Sequence, residues 1–287
     1  MATAQNLTAT PEVEFRSPAV PAEPGFWLPA FSLCQRELVR FLRQRNRIIG
    51  ALATPIVFWL LIGAGMGHSF QATPGSNSGG RGYMEYFFPG TVVMILLFTA
   101  IFSTISIIED RHEGFLQSVL VAPISPMVIV LGKVLGGTVL AFGQGLIFLA
   151  LAPLVGYRFT PQGLALALLM MFLMSFSLTA LGFCIAWRMS STQGFHAIMN
   201  LFLMPMWFLS GALFPASGVA FAPLKWAIRL NPLSYGLTGL RYGMQWTSAG
   251  ATAGGIGLCL LVSTAFAAVM FLLASRLATS RVAADLQ

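Results

Sequence analysis

The stretch that decides the fold runs from Phe87 to Ile108, reads FFPGTVVMILLFTAIFSTISII, and contains no charged residue. About 20 predominantly apolar residues are enough for a helix to cross the hydrocarbon core of a bilayer. The whole chain has the same character, with 56% hydrophobic and 9% charged residues and a mean hydropathy of +0.79. Soluble proteins carry about a quarter charged residues. An all-α polytopic membrane protein is therefore predicted.

Other apolar stretches of similar length bring the predicted number of transmembrane helices to six. The predicted spans are about 48–66, 87–108, 127–155, 163–187, 197–214 and 254–274, and they form one six-helix membrane domain over 48–275. Residues 1–25 are rich in Pro, Ala, Thr and Glu and are predicted to form a disordered tail. A second tail is predicted over 276–287. Gly132 and Gly136, four residues apart in the third span, predict a close contact with another helix.

Residues 26–47 have the pattern of an amphipathic helix. At 100° per residue one side carries Arg36, Arg40, Arg43 and Arg47. The opposite side carries Phe31, Cys34, Leu38, Phe41 and Leu42. Such a helix is expected to lie along the membrane surface, where its arginines favour anionic lipid headgroups. The alternative is a solvated helix packed on the protein's own surface.

The densest charge cluster of the chain follows the second span, over Glu109–Glu113. Apolar residues at helical spacing come next, among them Phe115, Leu116 and Val119, and Pro123 ends the pattern. A short amphipathic helix over Glu109–Pro123 is therefore predicted, with charges at one end and an exposed apolar stripe. Such a helix is a candidate docking point for a partner protein.

Residues 215–245 are moderately apolar, but they are too interrupted to span a membrane. Pro223 and Pro232 divide the segment, and Lys225, Arg229 and Arg241 add charge. Two short helices dipping into the interface are predicted, because irregular backbone at membrane depth must be covered by protein or face a wet cavity.

The distribution of basic residues predicts the orientation. One side would carry Arg16, Arg36, Arg40, Arg43, Arg45, Arg47, Arg111, Lys133, Arg188, Arg276 and Arg281. The other side would carry only Arg81, Arg158, Lys225, Arg229 and Arg241. Because the more basic side stays in the cytoplasm, both termini and the Glu109–Pro123 helix are predicted to be cytoplasmic. The 215–245 hairpin would then be external.

The predicted spans carry no Asp, Glu or Arg in their cores, and Lys133 lies near an end. Ion-coupled transporters and membrane-embedded hydrolases keep ionisable groups near the midplane, so both classes are disfavoured. The chain also has no phosphate-binding loop ending in Lys-Ser or Lys-Thr. Energy for transport is therefore expected to come from a partner.

No catalytic, cofactor-binding or metal-binding residue is predicted in this chain. The cysteines and histidines lack ligand or disulfide spacing; they are Cys34, Cys184, Cys259, His68, His112 and His196. The net charge of +7 lies at membrane edges and does not alternate with aromatic residues, so nucleic-acid binding is not expected.

Three stretches give the chain a resemblance to the ABC-2 type permeases, the membrane subunits of ATP-binding-cassette exporters. The first is Glu109–Gly114 with Ala122–Ser125 and Gly132-Lys133, and the second is Met204-Pro205 with Phe208–Gly211 and Phe214-Pro215. The third is Pro223–Trp226 with Asn231–Tyr235 and Arg241. Their order and spacing resemble the family over roughly residues 35–275.

The resemblance implies a permease that exports substrate across the bacterial cytoplasmic (inner) membrane. Two permease subunits, identical or homologous, would work with two separate ATPase subunits that bind ATP and Mg²⁺. The implied ATPase-coupling helix contains Glu109, Arg111, Glu113, Gly114, Phe115, Leu116, Val119 and Pro123. The implied external re-entrant gate contains Pro215, Pro223, Trp226, Asn231, Pro232, Tyr235 and Arg241.

Two other functions are compatible with the residues alone. One is a polytopic enzyme that modifies lipid-linked substrates with reactive groups around Glu109–Glu113. The other is a passive membrane scaffold or channel. The cargo of an exporter stays open among drugs, lipids, oligosaccharides and polysaccharides, because the aromatic and methionine-rich spans suit an apolar cargo and a lipid-facing surface equally well.

Overall fold

The computed structural model describes residues 25–66, 82–121, 124–213, 221–244 and 253–285. The side chains of 45–47, 117, 120, 121, 253, 254 and 281–285 are not part of this description. The described chain is helical, which confirms the predicted all-α class. The predicted tail over 1–24, Pro123 and Pro215 lie outside the described residues.

Ten α-helices make up the described part of the chain. They are α1 Trp27–Arg43, α2 Arg45–Gly65, α3 Tyr83–His112, α4 Phe115–Val121, α5 Pro126–Leu149, α6 Pro161–Arg188, α7 Thr192–Phe208, α8 Ala222–Leu230, α9 Pro232–Gly243 and α10 Ala253–Asp285. A short 3-10 helix, Ala152–Val155, follows α5.

Local sequence explains where several of these helices begin and end. The hydroxyls of Ser125, Thr160 and Ser191 accept hydrogen bonds from backbone N–H groups in the first turns of α5, α6 and α7, which stabilises those termini. The chain leaves the α3 and 3-10 helices through Gly114 (φ +76°) and Gly156 (φ +98°). Glycine adopts these left-handed conformations without a Cβ clash.

Five described helices are long and apolar enough to cross a membrane, and they correspond to five of the six predicted spans. Their apolar parts are Ile48–Gly65, Tyr83–His112, Pro126–Leu149, Pro161–Arg188 and Gly255–Ser280. The remaining helix, α7, has 17 residues, about 26 Å at 1.5 Å per residue. It ends before Gly211, whose φ is +83°. A sixth crossing stays a prediction.

One predicted boundary is wrong, and the predicted C-terminal tail is helical. The predicted span 127–155 combines α5 with the separate 3-10 helix, because Ala150 and Leu151 form a turn that ends α5. The predicted tail 276–287 is helical as far as Asp285. No Gly or Pro interrupts the chain there, so α10 continues past its apolar part.

Helix α3 forms the centre of the bundle and packs against α2, α5 and α6, while α10 packs on α6, α9 and α5. Most of the apolar span of α3 is buried within the chain, whereas the spans of α2 and α10 are mostly exposed. Exposed apolar side chains on these outer helices include Ile49, Leu61, Leu261 and Leu272. Surfaces of this kind suit contact with lipid or with another membrane subunit.

Glycines allow the closest helix contacts. A Cβ added at Gly132 would lie 2.7 Å from Leu33 Cβ and 2.8 Å from the Ala30 carbonyl oxygen. A Cβ added at Gly136 would lie 2.7 Å from Glu37 Cβ. The close contact predicted for these two glycines is therefore confirmed, and its partner is α1.

We expect Gly132→Ala to lower the free energy of unfolding by about 1–3 kcal/mol, because the new methyl group would overlap the backbone of α1. Gly143→Ala is the matched control on the same helix, since nothing lies within 4 Å of its added Cβ. Thermal unfolding of both purified variants in detergent measures the difference. Equal midpoints would contradict the tight α1–α5 contact.

Candidate functional site

Helix α1 lies against α5 and presents two different apolar faces. Ala30, Leu33, Cys34, Glu37 and Phe41 are buried, whereas Trp27, Leu28, Phe31 and Leu42 are exposed. The predicted apolar side is therefore divided: Cys34 and Phe41 pack inside the protein, whereas Phe31 and Leu42 face outward. The position along the membrane surface stays a prediction. Glu37 points inward, where Lys133 binds it. The packing of α1 against α5 agrees with the alternative that this helix packs on the protein's own surface.

Asp110 is the centre of an ion-pair cluster at this end of the bundle. Its side chain is fully buried. Arg36 binds it through both terminal guanidinium nitrogens, with Nη1 at 3.0 Å from Oδ2 and Nη2 at 2.8 Å from Oδ1. Arg40 and Lys133 also donate to this carboxylate. Bidentate and charge-assisted hydrogen bonds of this kind are the strong ones. Asp110 is thus neutralised by cations from α1 and α5.

Lys133 joins three helices through one ammonium group. Besides Asp110 of α3, its Nζ donates to Glu37 Oε1 of α1 at 2.5 Å and contacts Ser106 Oγ at 3.5 Å. The side chains of Lys133 and Glu37 are 4% and 5% exposed. Because a lone buried charge is costly, such groups occur in pairs or clusters. These charges lie outside the predicted span cores, because Asp110 and Glu37 fall beyond the predicted spans and Lys133 lies near the end of one.

Two arginines of α1, Arg36 and Arg40, also hold the corner between α3 and α4. Arg40 donates to Glu109 at 3.0 Å and to Glu113 at 2.9 Å. The guanidinium carbon of Arg36 lies 3.5 Å from the centre of the Phe115 ring, a favourable cation–π contact. Burial by itself would lower the pKa of Arg36, but the hydrogen bond and charge of Asp110 outweigh burial and raise this pKa.

The predicted helix over Glu109–Pro123 is two segments. Glu109 and Arg111 belong to the last turn of α3, and the chain reverses through Glu113 and Gly114 before α4 begins. Arg111 donates to the carbonyl oxygens of Met189 at 2.8 Å and Trp187 at 2.7 Å. These contacts extend α3 and bring the α6–α7 turn to the same end of the bundle.

The apolar stripe predicted to be exposed is largely covered. Leu116 is 5% exposed, while Phe115 and Val119 are half-buried. Their burial follows from the fold of α4 against α3 and from the Arg36 side chain over Phe115. Among the described side chains of this corner, two polar ones are exposed: the Glu113 side chain is 58% exposed, and Ser118 is exposed.

A groove of about 670 Å³ lies between α1 and this corner. Its lining includes Ser32, Gln35, Val39, Arg43, Gln44 and Glu113. Arg43 is exposed on the groove wall, so only part of the predicted basic side of α1 faces outward. The side chain of Arg47 lies outside the described residues.

We expect Asp110→Asn to lower the free energy of unfolding by about 3–5 kcal/mol, because the cations around it would lose a buried counterion. Glu113→Gln changes a nearby acidic residue whose side chain is mostly exposed. It should lower the free energy of unfolding by less than about 1 kcal/mol. Unfolding of both variants in detergent tests this. A similar small loss for both would show that the Asp110 cluster does not stabilise the fold.

The opposite end of the bundle contains the predicted pair of short helices, α8 and α9, and their existence is confirmed. Asn231 lies between them: its Oδ1 accepts from Leu233 N at 3.0 Å, and its Nδ2 donates to the Met206 carbonyl oxygen at 2.6 Å. Pro232 starts α9, as is common at a first helical position. Asn231 thus caps α9 and ties it to α7.

Arg241 and two tyrosines hold the backbone that follows α7. Arg241 donates to the Gly211 carbonyl oxygen at 2.8 Å and lies over the ring of Tyr86, with 4.6 Å to its centre. Tyr86 donates to the same carbonyl at 2.9 Å, and Tyr83 donates to that of Leu213 at 2.8 Å. Sequence reasoning missed both tyrosines, although two phenols at the start of a buried span are a signal for polar contacts.

The other predicted residues of this hairpin have separate roles. Pro223 lies in the first turn of α8, and Trp226 is exposed on that helix. Tyr235 of α9 donates to the Arg229 carbonyl oxygen of α8 at 2.9 Å. Helix α9 packs on α6, so α9 returns to the body of the bundle while α8 remains at its edge.

Asn231→Ala should lower the free energy of unfolding by about 1–2 kcal/mol, because α9 would lose its cap and the Met206 carbonyl would lose a donor. Lys225→Ala is the control on the neighbouring α8, where the side chain is exposed. The readout is the thermal midpoint of each purified variant. An unchanged midpoint for Asn231→Ala would contradict its role in joining α7 and α9.

Among the described residues, no cluster of His, Cys, Asp and Glu is arranged to hold a metal ion.

Comparisons with known proteins agree with this architecture. The family described as ABC-2 type transporter matches residues 30–245. The ycf38 protein of Cyanophora paradoxa, whose name describes a transport permease, is 27% identical over 217 residues, which cover 74% of this chain and 72% of that protein. The chain therefore belongs to the ABC-2 type transporter family and is a multi-pass transport permease.

Proposed function

We propose that this chain is the membrane subunit of an ATP-binding-cassette exporter and that a separate ATPase docks at the α3–α4 corner, which consists of Glu113, Gly114 and α4. ATP and Mg²⁺ would be bound by the partner, and a second permease copy or homologue would complete the substrate path. The hairpin of α8 and α9 would contribute to the external gate.

The observation that carries this proposal is the way the corner is held. Gly114 forms the turn between α3 and α4, and Arg36 and Arg40 fix both sides of that turn through Phe115 and Glu113. Glu113 still exposes more than half of its side chain. A fixed corner with an accessible carboxylate suits a protein partner that pushes or pulls on the membrane helices.

The charge distribution supports an orientation with both termini in the cytoplasm of a bacterial cell. The contacts of Arg111 bring the corner and the α6–α7 turn to one end of the bundle, and Arg36, Arg40, Lys133 and Arg188 belong to elements that meet there. Basic residues concentrate on the cytoplasmic side of inner-membrane proteins. An ATPase supplied with cytoplasmic ATP would reach this end.

The arrangement gives less support to an enzyme that acts on lipid-linked substrates. Such an enzyme would need a carboxylate free to take a proton near its substrate. Here arginines bind Glu109, Asp110 and Glu113, so these carboxylates serve to hold α1 to α3 and α4.

Glu113→Arg should weaken association with the cognate ATPase at least tenfold, because it replaces an exposed carboxylate of the corner with a cation that also repels Arg40. Gln193→Arg is the control, since it adds the same side chain at an exposed position of α7. Co-purification with each candidate ATPase, followed by titration of the permease in nanodiscs, measures the affinity of the permease for the ATPase. Equal affinity for both variants would show that the ATPase docks elsewhere.

A further inference from the structure

We propose that Lys133 is a positioning residue that makes α1, α3 and α5 respond together to movement of the α3–α4 corner. This inference rests on the proposed function, because it assigns the route by which an ATPase bound at the corner displaces the membrane helices. Lys133 makes no contact with the partner or the cargo in this scheme and acts through Glu37 and Asp110.

The first link of the route joins the corner to α1. Helix α4 has seven residues, follows a glycine with a left-handed conformation and buries Leu116 against the bundle. Arg36 over Phe115 and Arg40 on Glu113 attach the corner to α1 as well. A displacement of the corner must therefore either break these contacts or move α1.

The second link joins α1 to α5 and α3. The Lys133 ammonium binds Glu37 of α1 and Asp110 of α3, while Gly132 and Gly136, in the same turn of α5, bring the α1 backbone into contact. Because the cluster is buried, water cannot readily replace Glu37 or Asp110 as a hydrogen-bond partner of Lys133 when the helices separate. Lys133 thus makes separation of the three helices unfavourable, and they move together.

Stability and positioning can be separated because a buried ion pair is not needed for stability as such. Apolar residues of similar volume often replace such a pair without loss of stability. Lys133→Met combined with Glu37→Met removes one positive and one negative charge. Asp110 keeps Arg36 and Arg40 as partners, so this double variant leaves no buried carboxylate without a cation.

The test uses the permease and its ATPase assembled in nanodiscs. Amide hydrogen exchange of α1 and α5 is compared between nucleotide-free complex and complex trapped with ATP and vanadate. We expect a nucleotide-dependent difference in wild type and in Lys133→Arg. In the double Met variant we expect an unchanged thermal midpoint and unchanged ATPase affinity, together with at least a threefold smaller exchange difference in α5.

The matched control removes a different polar contact between α3 and α5. Thr99 of α3 donates to Gln144 of α5 at 2.5 Å, so Thr99→Val combined with Gln144→Leu changes α3–α5 contact outside the cluster and should keep the response. If the double Met variant does not fold, Glu37→Met alone takes its place. In that variant Lys133 retains Asp110, and the same reduced response is expected.

A full exchange difference in a folded Met variant would overturn the role of Lys133 and leave the proposed function intact. A control variant that also loses the response would overturn it as well, because the effect would then reflect general loosening of α3 and α5. If no candidate ATPase associates with wild type, the proposed function itself fails.

Discussion

The neutralisation of Asp110 by three cations is the interaction on which this end of the molecule depends. The carboxylate lies at the end of the central helix α3, and Arg36, Arg40 and Lys133 reach it from α1 and α5. A single buried carboxylate would be strongly unfavourable, so the three helices must meet at this point. The position of α1, and through Phe115 and Glu113 that of α4, follows from this requirement.

The other end of the bundle is held by a different kind of contact. Residues 209–213, which follow α7, are not helical, and the carbonyl groups of Gly211 and Leu213 accept hydrogen bonds from Tyr83, Tyr86 and Arg241. These donors satisfy backbone groups that a helix would have satisfied internally. The molecule therefore fastens one end by ion pairs between side chains and the other by side-chain donors to backbone.

Hydropathy and proline positions were sufficient to predict most helices, but they did not predict the contacts among the buried charges. The pattern after Ile108 predicts a separate short helix, because the charged stretch Glu109–Glu113 leads into apolar residues at helical spacing. In the fold, α3 continues to His112 since partners on α1 and the α6–α7 turn satisfy these charges. Glu37 was overlooked for the same reason: on a helical wheel it is one charge among several arginines.

By itself, the sequence determined that the chain is an all-α membrane protein with long apolar helices and a broken segment near 215–245. These features depend on length, hydropathy and local backbone preference, which neighbouring residues carry. Only the tertiary structure decided that α1 is joined to α5, that Asp110 is buried among cations, and that Tyr83 and Tyr86 hold the end of α7. Those partners lie far apart along the chain, and only packing brings them within hydrogen-bond distance.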